Sequence, residues 1–165
     1  MEKRILREDL RKRTRHGWPF MLVLEENSEA QEKGTIYQFH TECAVRFSSL
    51  AEAILLMERR MEEQQLPEAP EVLRSFPHMG GENVQKGDAM PSFRIWEPAS
   101  YVIQAKPRAV FYIYVFYRQN SSWQGEVIWK DNGERRYFRS VLELLNLLDC
   151  ACPNPFFCSD NETES

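Results

Sequence analysis

The sequence predicts an α+β fold made of two β-β-β-α repeats in tandem, antiparallel sheet or sheets packed with two helices in a pseudo-two-fold arrangement. Three observations lead there. First, Phe138 to Asp149 falls on Phe47 to Glu58 after a shift of 91 residues, and the match extends without a gap from Phe20/Phe111 to Glu58/Asp149. The identical pairs are Phe20/Phe111, Gly34/Gly125, Phe47/Phe138, Ser49/Ser140, Glu52/Glu143 and Leu56/Leu147. They fall at a strand start, at the glycine opening the next strand, at a last strand residue and at both ends of a capping motif. Second, each copy holds three short apolar or alternating runs separated by turn residues, the signature of an antiparallel meander. Third, each copy ends in Ser-x-x-Glu ahead of an apolar run, the sequence form of a helix capping box. There the Ser hydroxyl accepts from the N–H three residues on, and the Glu carboxylate is expected to reach back to the Ser N–H.

The first element is a basic arm, residues 1–19. Residues 3–15 suit a short helix with Ile5, Leu6 and Leu10 as a thin apolar stripe, punctuated by Gly17 and Pro19. The first repeat, 20–62, opens with Phe20 to Leu24 as a buried strand. A polar turn over Asn27 to Lys33 follows, then Gly34 to Phe39 as an alternating strand and Cys43 to Phe47 as a third. Ser49 caps a helix to about Glu62, with Leu50, Ile54, Met57 and Met61 at core spacing.

Residues 63–108 hold six of the nine prolines, with Gly80, Gly81 and Gly87, and read as a linker that is partly packed. Inside it, Ser92 to Trp96 and Tyr101 to Gln104 have strand character. The second repeat, 109–153, starts with Val110 to Tyr117, eight aromatic or β-branched residues in succession. Asn120-Ser121-Ser122 turns the chain into Trp123 to Trp129, Asp131-Asn132-Gly133 marks a tight hairpin, and Arg135 to Phe138 is the third strand. Ser140 caps the second helix, which ends near Cys150 to Cys152, before Pro153. An acidic tail, 154–165, closes the sequence. A three-stranded sheet with one helix is marginal alone, so the copies should pack together. Whether their sheets join edge to edge or face to face is left open.

The 165 residues have ordinary globular composition, 42% apolar and 28% charged. No apolar run approaches the roughly 18 residues of a membrane span, and Met1 to Arg7 is too charged for the core of a secretory signal. The expected location is the cytoplasm. Charge is uneven: residues 1–16 hold seven Lys/Arg against three Asp/Glu, a net of +4, leaving 14 against 22, or −8, for the rest. Such an arm suits a phosphate backbone, an acidic partner, or the protein's own acidic body.

Cys43, Cys150, Cys152 and Cys158 lack the C-x2-C spacing of structural zinc sites, and free thiols are expected. His16, His40 and His78 lie in separate segments without acidic or thiol neighbours at ligand spacing, so no metal is expected. No nucleophile elbow, zinc-protease, P-loop or dinucleotide glycine motif occurs, so no cofactor and no catalytic residue are named.

From Asn120-Ser121-Ser122-Trp123-Gln124-Gly125 through Phe138-Arg139-Ser140-Val141-Leu142-Glu143-Leu144-Leu145, about 40 residues, the chain resembles a group of small uncharacterised bacterial proteins. They share an N-S-S-W-Q-G-x-V-x-W … F-R-S-x-L-E-L-L pattern. That resemblance implies no activity. The first copy departs from it, with Glu32 in place of Trp123 and Gln38 in place of Trp129. Asn120-x-Ser122-x-x-Gly125 is also similar to half of the PilZ signature, whose other half, R-x-x-x-R, has a counterpart in Arg11-x-x-x-Arg15. In PilZ domains the two halves lie close in one barrel, whereas here a whole repeat separates them.

The function expected is non-enzymatic binding or regulation, with another protein as the partner. Tyr112, Tyr114, Trp123, Trp129, Phe93 and Trp96 form the candidate surface, although strand parity puts Tyr112 and Tyr114 on one face of their strand and Phe111, Ile113 and Val115 on the other. Core packing competes for all these aromatics. The alternative is nucleic-acid binding through Arg4, Arg7, Arg11, Lys12, Arg13 and Arg15, and a third reading is a PilZ-like cyclic-dinucleotide sensor.

Overall fold

Strand β1 (Trp18–Glu25) carries Phe20, Leu22 and Leu24 on one side and Met21 and Val23 on the other, so both its faces ask for cover. The same holds for β5 (Pro107–Tyr117). These two strands pair antiparallel at the centre of the molecule, with Phe20 opposite Ile113, Met21 opposite Tyr112 and Leu22 opposite Phe111. The structure is a computed structural model and describes residues 18–26, 32–74, 76, 94–99 and 106–152.

From this central pair the chain builds outwards on both sides. On one side lie β2 (Gly34–Gln38), β3 (Cys43–Phe47) and the two-residue β4 (Glu97–Pro98). On the other lie β6 (Gln124–Trp129) and β7 (Glu134–Phe138). The result is one seven-stranded antiparallel sheet in the order β4-β3-β2-β1-β5-β6-β7. The two meanders are thus joined edge to edge, which settles the choice left open by the sequence.

Helices α1 (Leu50–Gln64) and α2 (Val141–Ala151) start where the capping signal lies. The Ser49 hydroxyl accepts from the Glu52 N–H and the Ser140 hydroxyl from the Glu143 N–H, each at 3.1 Å. The return contact differs from expectation. Glu52 accepts from the N–H of Ser48 and Glu143 from that of Arg139, both at 2.6 Å, one residue earlier than the cap. The cap residue is fully extended, with φ −158° at Ser49 and −153° at Ser140, so the free N–H facing the carboxylate belongs to the residue before it. Helix α1 ends at Gln65, whose left-handed φ of 54° lets its N–H return to the last carbonyls ahead of Pro67.

Both helices pack on one face of the sheet. Phe20, Leu22, Leu24, Ile36, Val45, Phe47, Phe111, Ile113, Val115, Val127 and Phe138 meet Ala53, Leu56, Met57, Met61, Leu144 and Leu148 in one cluster. Leu50 and Ile54, expected in the core, are only half-buried at its margin, and Leu56 takes a fully buried place. The opposite face holds Val23, Tyr37, Ala44 and Val110 in one cluster and Tyr112 with Tyr114 in another.

Two glycines govern how tightly the strands approach. A Cβ on Gly34 would lie 1.9 Å from the Val23 carbonyl oxygen, and one on Gly125 1.9 Å from that of Tyr114. Each glycine sits directly across from a phenylalanine, Phe47 and Phe138, whose ring lies over the bare Cα.

Within the expected linker, Arg94 to Trp96 is not a strand; the strand there is β4, which extends β3 through Cys43 opposite Pro98. Arg94 reaches α1 instead, bonding to Glu52 and to the Ser48 hydroxyl. The arm to residue 17, Phe93, Tyr101 to Gln104, Cys158 and the acidic tail lie outside the described residues.

Candidate functional site

The most developed polar arrangement stands where α1 meets the turn between β5 and β6. Residue 118 follows the long apolar run of β5, and its side chain is only 3% exposed. A buried guanidinium demands full pairing. Arg118 donates from Nε to the Pro67 carbonyl at 2.7 Å and from Nη1 to Glu58 at 3.0 Å and Glu62 at 3.1 Å. The second oxygen of Glu58 accepts from the indole N–H of Trp123, itself buried. One carboxylate of α1 thereby holds both a buried cation and a buried aromatic of the second meander.

The turn itself is shaped by Asn120 and Ser121, both with positive φ (55° and 54°), and closed by the Ser122 N–H on the Gln119 carbonyl at 3.1 Å. Consecutive positive φ values suit the right-handed twist of a hairpin. Ser122 accepts from the Val141 N–H at 3.0 Å and so caps the first turn of α2. Glu71 accepts from the Ser121 N–H at 2.7 Å, which ties the segment after α1 to the same turn.

Between these parts runs a groove of about 120 Å³, lined by Ile54, Leu55, Leu73, Trp123 and Val141, with Glu58, Glu71, Arg118, Ser121 and Ser122 as its polar residues. Small-molecule pockets are typically about 300–1,000 Å³, so this one accepts a side chain or two rather than a nucleotide. Of its lining, Leu55 is 54% exposed and Leu73 50%.

The candidate residues named from sequence fall in three places. Trp123 lies in this groove. Trp129, on the same face, is half-buried and stacks on Phe111 with ring centroids 6.0 Å apart. Tyr112 and Tyr114 lie on the opposite face of the sheet and are buried there. Burial pushes the Tyr112 phenol up to about 12, with Tyr114 and Asp131 adding to the rise. Trp96 packs against Phe20 and under the Arg60 guanidinium, 5.2 Å from its ring. Phe93 and the six arm residues Arg4, Arg7, Arg11, Lys12, Arg13 and Arg15 lie outside the described residues. Thus Tyr112 and Tyr114 come together, Trp123 and Trp129 share the other face, and Trp96 belongs to the α1 side of the core.

Sequence reasoning missed Arg118, Glu58 and Leu55. A signal existed for one of them: Ile54, Glu58 and Met61 stand at i, i+4 and i+7, so a carboxylate sits on the core-facing stripe of α1 and needs a buried partner. The residues of the PilZ-like half-motif all have structural uses: Asn120 and Ser122 shape and dock the turn, and Gly125 permits the close approach of β5 and β6.

Glu32, 91 residues before Trp123 in the sequence, is paired with Arg108 at 2.5 Å, with Cys152 beside that guanidinium. Burial raises the Cys152 thiol above its usual value despite Arg108. Cys43, Cys150 and Cys152 are free thiols, and no group of three metal-ligating side chains occurs among the described residues. Among those residues, too, no helix is long and apolar enough to cross a membrane. Compared with models of known protein families, with curated proteins and with solved structures, the chain has no significant match.

Proposed function

We propose that this chain is a non-enzymatic cytoplasmic binding protein built from a duplicated β-β-β-α unit, and that it engages another protein through the groove beside α1. The observation that carries the binding role is the pair of exposed apolar side chains, Leu55 and Leu73, lining a groove whose floor is locked by Glu58, Arg118 and Trp123. Exposed apolar clusters with a polar rim are typical of protein contacts. The carboxylates that line it, Glu58 and Glu71, favour a partner segment with apolar side chains flanked by Lys or Arg.

What supports the duplication is the register at the sheet centre. Under the 91-residue shift, the pair Met21–Tyr112 maps onto itself, while Phe20–Ile113 and Leu22–Phe111 exchange. A two-fold axis through the Met21–Tyr112 pair would do this. Gly34 and Gly125 also meet equivalent atoms, the carbonyls of Val23 and Tyr114 and the rings of Phe47 and Phe138, at the same distances.

The test is capture of partners from the native cell by the intact protein and by Leu55→Asp/Leu73→Asp, at low and high salt. Apolar docking predicts a specific protein retained at both salt concentrations by the parent and lost by the variant. If the variant retains the same proteins, the groove is not the surface. A gel shift with random DNA and RNA that appears at low salt and vanishes at high salt would instead favour the basic arm.

A further inference from the structure

The segment that follows α1 supplies one wall of the groove through Ala69, Glu71 and Leu73. The side chains between and beyond these face solvent: Val72 is 83% exposed and Phe76 94%, the two most exposed large apolar side chains among the described residues. Between them stands Arg74, also exposed and without an acidic partner among the described residues. Glu71 accepts from the Ser121 backbone N–H at 2.7 Å and likewise forms no ion pair among those residues. One short segment thus carries an acidic, apolar-walled groove and, beside it, a cation flanked by apolar side chains. That second feature has the composition the groove calls for in a partner.

Resting on the reading of this groove as a contact surface, we infer that its occupant is a second copy of this chain. Phe76 of one copy enters the groove of the other, over Leu55, Leu73 and Trp123, and Arg74 of one copy meets Glu71 of the other. A groove that takes a side chain or two suits one phenyl ring, and aromatics with arginine are the residues enriched where proteins meet. Donor and acceptor features lie on the same patch, so a two-fold axis makes every contact twice. Such an isologous interface closes at two copies instead of growing into a filament. The unlike pair Arg74–Glu71, repeated across the axis, also sets the register, since Glu71 against Glu71 would repel.

Sedimentation equilibrium of the full chain tests it. A small interface gives a weak dimer, so the mass should rise from 19.5 kDa toward twice that value between about 1 µM and 1 mM protein. Phe76→Asp should weaken association at least about tenfold and leave the urea transition unchanged, because the ring is exposed in the single chain. A charge swap gives the sharper readout. Arg74→Glu alone and Glu71→Arg alone should each stay monomeric, since like charges then face each other twice, while an equimolar mixture of the two should associate like the parent. A parent that stays at 19.5 kDa up to about 1 mM, a Phe76→Asp variant that associates like the parent, or a mixture no tighter than either variant alone overturns the inference. The groove itself survives such a result, because it fails as a contact surface only when Leu55→Asp/Leu73→Asp retains the captured proteins.

Discussion

Gly125→Ala puts one methyl group where the strands leave no room for it. The new Cβ would lie 1.9 Å from the Tyr114 carbonyl oxygen, 3.0 Å from its carbon and 2.8 Å from the Phe138 ring. Ordinary contact begins near 3.4 Å, so β6 must withdraw from β5 by about 1.5 Å (3.4 less 1.9). The ring could turn aside, but the carbonyl belongs to a central strand paired on both sides. A displacement of that size breaks the neighbouring ladder bonds, about two at roughly 1 kcal/mol each, and adds an overpacking cost of about 1–3 kcal/mol. The expected loss is therefore roughly 3–5 kcal/mol, a large part of the 5–15 kcal/mol typical of a domain. Urea unfolding followed by Trp fluorescence reads it directly, since Trp123 and Trp129 report from the same hairpin. Gly34→Ala should cost a similar amount, and adding Phe138→Leu to Gly125→Ala should restore nothing, because the carbonyl is the limiting contact. A cost below about 1 kcal/mol for Gly125→Ala, or rescue by Phe138→Leu, would refute the close approach of β5 and β6.

Three further predictions follow from the caps and the Arg118 site. Ser49→Ala and Ser140→Ala should each cost about 1 kcal/mol in denaturant melts, by removing the acceptor for Glu52 N–H and Glu143 N–H. Arg118→Ala should cost about 3 kcal/mol or more by leaving Glu58 half-buried without its cation; a double-mutant cycle with Glu58→Gln should recover part of that loss, and strict additivity would refute the pairing. Acid should weaken the fold through both caps. Burial pushes Glu52 up, but the Ser48 N–H and hydroxyl together with Arg94 outweigh it, and Glu143 is held low by the Arg139 guanidinium and N–H. Both folded values lie below the unfolded one, so the contribution is present above about pH 4.3 and is lost as pH falls through the folded values. The double variant Glu52→Gln/Glu143→Gln should show a flatter stability profile between about pH 5 and 3.

What was legible in the sequence was local. The capping serines, the glycine that opens each second strand and the apolar run of β5 need only their neighbours to be read, and each lies where it was expected. The joining of β1 to β5 was half legible: each strand is apolar on both faces, which demands a central place, but pairing partners 91 residues apart leave no local mark. Strand β4 was hidden because Glu97–Pro98 is two residues long and ends in proline, with no alternation to detect. The carboxylate's bond to the residue before the cap depends on the extended φ of Ser49 and Ser140, which the Ser-x-x-Glu spacing does not encode. Arg118 was hidden for a different reason. Its partners Glu58 and Glu62 lie on another element, and a single arginine after a strand ordinarily reads as a surface charge.

On the proposed duplication, the places where the halves differ carry more information than those where they agree. The shared positions, the caps and the glycine–phenylalanine pairs, maintain the unit. At the divergent ones the two halves use equivalent sites for opposite ends. Trp123 fills its place with an indole bonded to Glu58, while Glu32 fills the counterpart with a charge bonded to Arg108. Trp129 stacks on Phe111, whereas Gln38 is a buried amide held by Gln64, Thr41 and Arg60. An apolar floor therefore exists beside α1, where the indole lies, and a charged pair takes its place beside α2. Restoring symmetry tests the point: Trp123→Glu should remove the apolar floor of the groove and import a second carboxylate next to Glu58. Two such charges in a half-buried site repel, so the variant should lose both stability and partner retention, whereas Glu32→Trp should leave partner retention intact.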